Sequence, residues 1–170
     1  MKINIPSEKE LALIQEYLYL DSSSQTGLRW RKSLGPRGKK DAEAMTSITK
    51  KGYYSGRFIG VFYLTHRVVF FLDRGYWPGR MIDHIDGNRL NNAPDNLREV
   101  TGSENSANMK ARGYHWSTEK NCWKAVVRCE GSVYTKHTSS EKEAREWYER
   151  KKLELYPQLN RSFYWNSQEI

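Results

Sequence analysis

The chain has 170 residues, the length of one average domain or of two small modules, which excludes a large multidomain machine. Its 28 Lys and Arg against 20 Asp and Glu give a net charge of +8, which suits a polyanionic partner, nucleic acid first and an anionic membrane surface second. Hydrophobic residues make up only 38%, yet 6 Trp, 11 Tyr and 5 Phe give a short core bulky filling and argue against global disorder.

The N-terminal segment places Ser7 three residues before Glu10, after Pro6, with Leu11, Ile14, Tyr17 and Leu18 at helical spacing. That pattern predicts a short amphipathic helix. Turn residues from Asp21 to Gly27 then lead into the strand-like LRWRK, and SLGPRGKKDAEAMTS follows as a loop. YYSGRFIGVFYL alternates around Gly60 like a hairpin. THRVVFFLDRG, with Thr65 at its head and Gly75 past its end, predicts a buried helix. VVFFL also fits a buried strand, because a short apolar run satisfies either periodicity.

The apolar pieces MIDHI and LREVT flank a long loop rich in Asn, Asp, Gly and Pro, which predicts two short strands. Gly102 breaks the second, and Ser103 can cap a short helix running to Met109. Further on, YHWST, CWKAVVRC and SVYTKHT predict three strands. Ser140 and Glu143 then open a helix carrying Ala144, Trp147, Tyr148 and Leu155 on one stripe. The longest apolar stretch, Val68 to Leu72, is far below the roughly 20 residues of a membrane span, and MKINIPSEKE lacks a signal-peptide core. A cytoplasmic protein without membrane contact is expected. Cys122 and Cys129 form no CxxC pair and suit half-buried small side chains better than a disulfide framework or a zinc ribbon.

The densest chemistry lies between residues 83 and 108, where Asp83, His84, Asp86, Asn88, Asn91, Asn92, Asp95, Asn96, Asn105 and Asn108 supply hard oxygens and one imidazole. Such donors favour Mg²⁺ or Mn²⁺ over zinc. A calcium loop counted from Asp83 fails, since Asn88 falls where Gly is required and Pro94 where Glu is. The bland alternative is a set of Asx turns bonding loop backbone. Asn108, one turn beyond Asn105, suits helix-surface decoration better than a ligand. Asp83 and His84 are adjacent, so on an ideal strand they would face opposite ways. A shared site needs the strand to end or twist there, as the Asp86-Gly87-Asn88 turn allows.

The spacing Asp83-His84, Asn96 twelve residues after the His and Asn105 nine further on resembles the HNH family of homing and phage nucleases. The upstream THR at 65 to 67, the WP at 77 and 78, DHIDGN and NLREVTGSEN add to the likeness, which covers roughly residues 25 to 110. Asn105 stands where the family often has a third His. The resemblance implies that Asp83 and Asn105 hold one divalent cation, Mg²⁺ or Mn²⁺, and that His84 is the general base. It also implies that Asn96 pins the loop and orients the imidazole. The expected products are a 5′-phosphate and a 3′-hydroxyl. His66 and Arg67 match a His-Arg pair that the family tends to carry, with a packing or phosphate-contact role, and Arg67 and Arg98 could each reach a phosphate or join an ion pair.

For DNA binding, the stretch from 29 to 40 carries Arg29, Arg31, Lys32, Arg37, Lys39 and Lys40 with no acid and with Trp30 between them. It has the make-up of a phosphate-binding arm; a solvated charged loop is the alternative. Residues 112 to 156 resemble the Apetala-two/ethylene-response-factor type of DNA-binding domain, whose sheet enters the major groove. That likeness implies Arg112, Trp116, Trp123, Lys124, Arg128 and Lys136 as candidate contacts. Strand alternation puts Lys124 and Arg128 on one face and Trp123, Ala125 and Val127 on the other. The first face is the better candidate for DNA.

The expected architecture is therefore α+β: a ββα-metal nuclease unit of the HNH, His-Me finger kind, followed by a small three-stranded antiparallel sheet packed on one helix. Its expected divisions are an N-terminal helix at 1–24, a nuclease domain at 25–110 with its core at 80–109, a DNA-binding module at 111–156 and a tail at 157–170. The expected function is metal-dependent cleavage of double-stranded DNA by a monomer or homodimer, with the C-terminal module directing sequence choice. A noncatalytic DNA-binding regulator and an RNA-binding protein are the rivals.

Overall fold

The structure is a computed structural model and describes residues 5–36, 38–108 and 112–157. It is α+β, with several small antiparallel sheets and a C-terminal three-stranded sheet packed on a helix. The chain divides into two compact units, Met1–Glu99 and Val100–Ile170.

In the first unit, α1 (Glu8–Tyr17) opens with the capping box that its sequence announces: the Ser7 hydroxyl accepts from the Glu10 amide and the Glu10 carboxylate accepts from the Ser7 amide. Leu18 continues the helical apolar spacing, but the chain extends there into β1 (Leu18–Leu20). It pairs antiparallel with β2 (Leu28–Trp30), Leu18 opposite Trp30. At the end of the region expected as a loop after β2, a strand not foreseen, β3 (Ser47–Ile48), joins β4 (Tyr54–Phe58) and β5 (Val61–Leu64) in a three-stranded sheet. The β4–β5 hairpin lies where its alternation places it.

The VVFFL run is helical, within α2 (Thr65–Arg74). Gly75 closes it at φ 79°, its amide donating to the Phe71 carbonyl, the left-handed ending that glycine accepts without a Cβ penalty. Thr65 does not cap this helix. Its hydroxyl donates to the Met45 carbonyl at 3.1 Å, and the extended Leu64 occupies the cap position. Val68, Val69, Phe70 and Phe71 are all buried, packing with Ile14, Leu18, Leu28, Trp30 and Phe58 into one core. Full burial of such side chains contributes roughly 1.5–3 kcal/mol each. Two short paired strands follow, β6 (Met81–His84) and β7 (Leu97–Val100), the latter ending at the boundary between the units, joined by a long loop that ends in a 3-10 turn at Pro94–Asn96.

The second unit holds α3 (Gly102–Asn108), the sheet β8 (Tyr114–Ser117), β9 (Cys122–Cys129) and β10 (Ser132–Thr138) with β9 central, and α4 (Glu141–Leu155). The cap of α3 comes from Thr101 and not from Ser103. Thr101 and Glu104 exchange reciprocal backbone-to-side-chain bonds of 2.7 and 3.2 Å, because Thr101 has an acid three residues on and Ser103 has Ser106. The expected helix end at Met109 lies outside the described residues, as does the 158–170 part of the tail. Ala125 and Val127 of β9 are buried against Ala144, Tyr148 and Tyr156, and Ala107 of α3 joins the same core. Gly113 is required by this packing: a Cβ there would sit 1.8 Å from Cε2 of Tyr148. Cys122 and Cys129 are half-buried.

Candidate active site

The loop joining β6 and β7 is organised around one carboxylate. Asp86 Oδ1 accepts from the Asn88 amide at 2.8 Å and from Asn96 Nδ2 at 2.9 Å, while Oδ2 accepts from Asn91 Nδ2 at 2.7 Å. In return Asn96 Oδ1 accepts from the Asp86 amide, and Asn96 Nδ2 also donates to the Asn91 carbonyl. These are Asx-type bonds that substitute for regular structure. Burial pushes the Asp86 carboxyl up, but the donors of Asn91, Asn96 and Asn88 outweigh it and hold the group below the usual carboxylate range.

The network fixes the entry to the loop, so β6 ends at His84 with Ile82, Asp83 and His84 all buried. The two adjacent polar residues meet different partners. Asp83 Oδ2 receives Nε and Nη2 of Arg98 on β7, at 3.1 and 2.9 Å. The His84 ring lies 5.2 Å from the His66 ring of α2 and 5.9 Å from Tyr53 just before β4. Arg98 is thus the ion-pair partner of the candidate ligand Asp83.

Asn92 contacts the imidazole directly, its Oδ1 lying 3.2 Å from His84 Nε2 while its Nδ2 donates to the Thr26 carbonyl at 3.1 Å. The second bond fixes the first: with the NH₂ group committed to Thr26, the amide oxygen faces the ring and must accept from an Nε2–H. A neutral His84 then carries its lone pair on Nδ1. The family resemblance implies that Asn96 both pins the loop and orients the imidazole; its side chain does tie the loop to Asp86 and Asn91, while the amide in contact with the ring is that of Asn92. Along the sequence Asn92 is one amide among several, and its bond to Thr26 spans 66 residues.

Burial holds the His84 pKa below its ordinary value, against the opposing pull of Asn92, Asp86 and Asp83; Arg89 adds to the lowering. His66 is pushed down to about 3, first by burial and then by the charges of His84 and Arg67. Its Nδ1 is buried and has no hydrogen-bond partner among the described residues. Both rings are therefore neutral near pH 7.

No group of three or more His, Cys, Asp or Glu side chains able to hold a metal occurs among the described residues. Asp83 offers one carboxylate here. Asn105, half-buried on α3, belongs to the second unit. A carboxylate is the hard oxygen donor that Mg²⁺ commonly takes, with few protein ligands and retained water. The donor chemistry fits a hard divalent ion.

The basic residues expected to hold DNA have varied surroundings. Arg29 is tied to Asp21 (2.5 Å) and to the Asp41 carbonyl, Lys32 is paired with Glu16 (2.6 Å), Arg31 lies over Tyr19, and Trp30 is in the core. The run from 29 to 40 lacks acids, but folding brings them from elsewhere. Lys39 and Lys40 are exposed; Arg37 lies outside the described residues. Arg67 donates to the Pro78 and Arg80 carbonyls and stacks on Trp77, which gives it a bracing role.

In the second unit Arg112 pairs with Glu141 and lies over the Tyr114 and Trp123 rings. The register sets Lys124 opposite His115 and His137, and Arg128 opposite Val133. Lys136 pairs with the buried Ala125 and Trp116 with Trp123, so both alternate onto the helix side of the sheet. Lys136 and Trp116 are nevertheless exposed.

Three comparisons bear on this geometry. A profile of the HNH_3 family, described as HNH endonuclease, matches residues 63–107, which run from β5 through α2, β6, the Asp86-centred loop and β7 into α3. Protein 3.8 of Escherichia phage T7 is 38% identical over 98 residues, covering 53% of this chain and 78% of the phage protein. No solved structure matches. HNH nucleases generally use a divalent metal and act on DNA, and the family's strand-strand-helix unit corresponds in chain order to β6, β7 and α3. With the buried histidine at the close of β6 inside the matched segment and a homologue most of whose length is covered, the chain belongs to the HNH endonuclease family.

Proposed function

We propose that this protein is a metal-dependent endonuclease that hydrolyses phosphodiester bonds of double-stranded DNA, as a phage-type or homing HNH enzyme does. The observation that carries the reading is the bond between Asn92 and His84. It selects the tautomer of the uncharged imidazole, with the proton on Nε2 and Nδ1 as the basic nitrogen. His84 Nδ1 takes a proton from water, the water oxygen bonds to phosphorus, and the P–O3′ bond breaks with its electron pair going to O3′, which takes a proton from solvent, leaving a 5′-phosphate and a 3′-hydroxyl. Burial supports this role by favouring the uncharged ring.

Asp83 and Asn105 would hold the ion, Mg²⁺ or Mn²⁺. When bound, that ion supplies positive charge against the phosphate and the leaving oxygen. Arg98 holds the Asp83 carboxylate in place, and Asn96 keeps the loop closed around Asp86. The nuclease domain spans about 25–110. Residues 111–156 form a DNA-reading module of the Apetala-two kind, with Lys124 and Arg128 on its open face as the leading contacts. One site cuts one strand, so a double-strand break takes a homodimer or two sequential nicks.

The test incubates supercoiled plasmid with the protein in Mg²⁺, Mn²⁺ or EDTA, beside His84→Ala. Nicking that requires both metal and the histidine, with DNA binding retained in the variant, is the expected result. Binding without cleavage in any metal would instead identify a noncatalytic DNA-binding protein.

A further inference from the structure

Resting on the nuclease reading, we propose that Arg89 is a phosphate-binding side chain of this site and that Tyr53 is the positioning residue that aims it. The turn before β4 is closed twice, by the Thr49 amide on the Tyr53 carbonyl at 2.9 Å and by the Tyr53 amide on Thr49 Oγ1 at 3.1 Å. This fixes the Tyr53 ring, which meets His66 at 5.2 Å and His84 at 5.9 Å. The Arg89 guanidinium lies over the same ring, 5.2 Å from its centroid, and its Nη1 donates to the Lys51 carbonyl at 2.9 Å. One aromatic ring therefore carries the arginine and touches the candidate base.

The other arginines near the site are committed. Arg98 is paired with Asp83 and Arg67 with two backbone carbonyls. Arg89 is exposed and has no acidic partner among the described residues; the exposed Lys50 and Lys51 beside it have none either. Asp86, in the same loop, has both oxygens engaged by Asn88, Asn91 and Asn96. A guanidinium held by stacking and one carbonyl bond keeps further N–H donors for an anion, in the fork geometry that suits phosphate. Preorganisation of this kind lowers the entropy lost when the phosphate is gripped.

The test measures binding of a fixed duplex DNA in EDTA across a salt series in a His84→Ala background, and plasmid nicking in Mg²⁺ in the native background. Arg89→Ala should lower the slope of log K against log salt by about 0.9, the value for one phosphate no longer neutralised. It should also slow nicking on the order of 100-fold. Tyr53→Leu should lose the same increment of slope and Tyr53→Phe should recover it, a pattern that a purely structural role of Tyr53 would not produce. An unchanged slope in Arg89→Ala overturns the proposal while leaving the nuclease reading intact if the native protein nicks. Failure of the native protein to nick in any metal sinks the nuclease reading, and the salt slope then still decides whether Arg89 holds phosphate.

Discussion

The side-chain amide of Asn92 links His84 to a carbonyl 66 residues earlier in the chain, bonding the imidazole at 3.2 Å and Thr26 at 3.1 Å. Removing it has two separable effects. Asn92→Ala leaves the buried Thr26 carbonyl unpaired, which costs about 1–3 kcal/mol of stability, measurable by urea unfolding. It also frees the ring to change tautomer and orientation, so nicking should fall on the order of 100-fold even where the variant is fully folded. Native-like nicking by folded Asn92→Ala would refute the orienting role.

Arg98 and Asp83 form a largely enclosed ion pair. Arg98→Ala removes the charge partner of a buried carboxylate and should cost about 3–5 kcal/mol. The double variant Asp83→Asn with Arg98→Met removes both charges and should regain most of that stability without regaining cleavage. Equal losses in the single and double variants would show that the pair's charge is not the source.

The sign of the pH dependence follows from His66, whose folded pKa of about 3 lies below the ordinary histidine value of 6.5. The unfolded chain binds the extra proton between these values, so stability is complete above 6.5 and is lost as pH falls toward 3. The His66 contribution should decline by about 2 kcal/mol between about pH 7 and about pH 5. Urea titrations of native protein and His66→Leu at the two pH values compare the slopes. Identical slopes would show that His66 is not the group responsible.

On the sheet of the second unit, β9–β10 register separates two kinds of basic residue. Lys124 and Arg128 share the open face, and Lys136 alternates to the helix side. The pair Lys124→Ala with Arg128→Ala should weaken duplex binding and lower the salt slope by about 0.9 for each phosphate that the pair neutralises. Lys136→Ala should change both much less. A reversed ranking would move the DNA to the other face.

Gly113→Ala forces Tyr148 out of its place and should destabilise the second unit by about 1–3 kcal/mol. Hydrogen exchange should register weaker protection in β9 and α4 and leave the amides of β4 and α2 unchanged.

What can be foreseen from the sequence is what local chemistry encodes. The Ser7 and Ser140 caps, the hairpin around Gly60, the Gly75 helix end and the alternating strands of the second unit each announce themselves within a few residues. Leu18 misleads because its spacing continues the helix while its burial opposite Trp30 requires a strand. The partners of Arg29 and Lys32 are invisible because Asp21 and Glu16 lie across a fold that the basic run does not itself specify. At the candidate site the donors stand out by their types and offsets. The roles of Asn92 and Tyr53 depend on contacts with Thr26 and with two histidines far along the chain, which no local pattern records.

The seating of α3 sets a limit on how this protein can be dissected. The helix bearing Asn105 sends Ala107 into the core built by Ala125, Val127, Ala144, Tyr148 and Tyr156, so the residues beyond 110 are part of its foundation. A fragment ending there would keep every proposed cleavage residue in its sequence but lose the platform under one of them. The C-terminal sheet is thus no interchangeable cassette, and a chimaera that exchanges it has to import α3 as well.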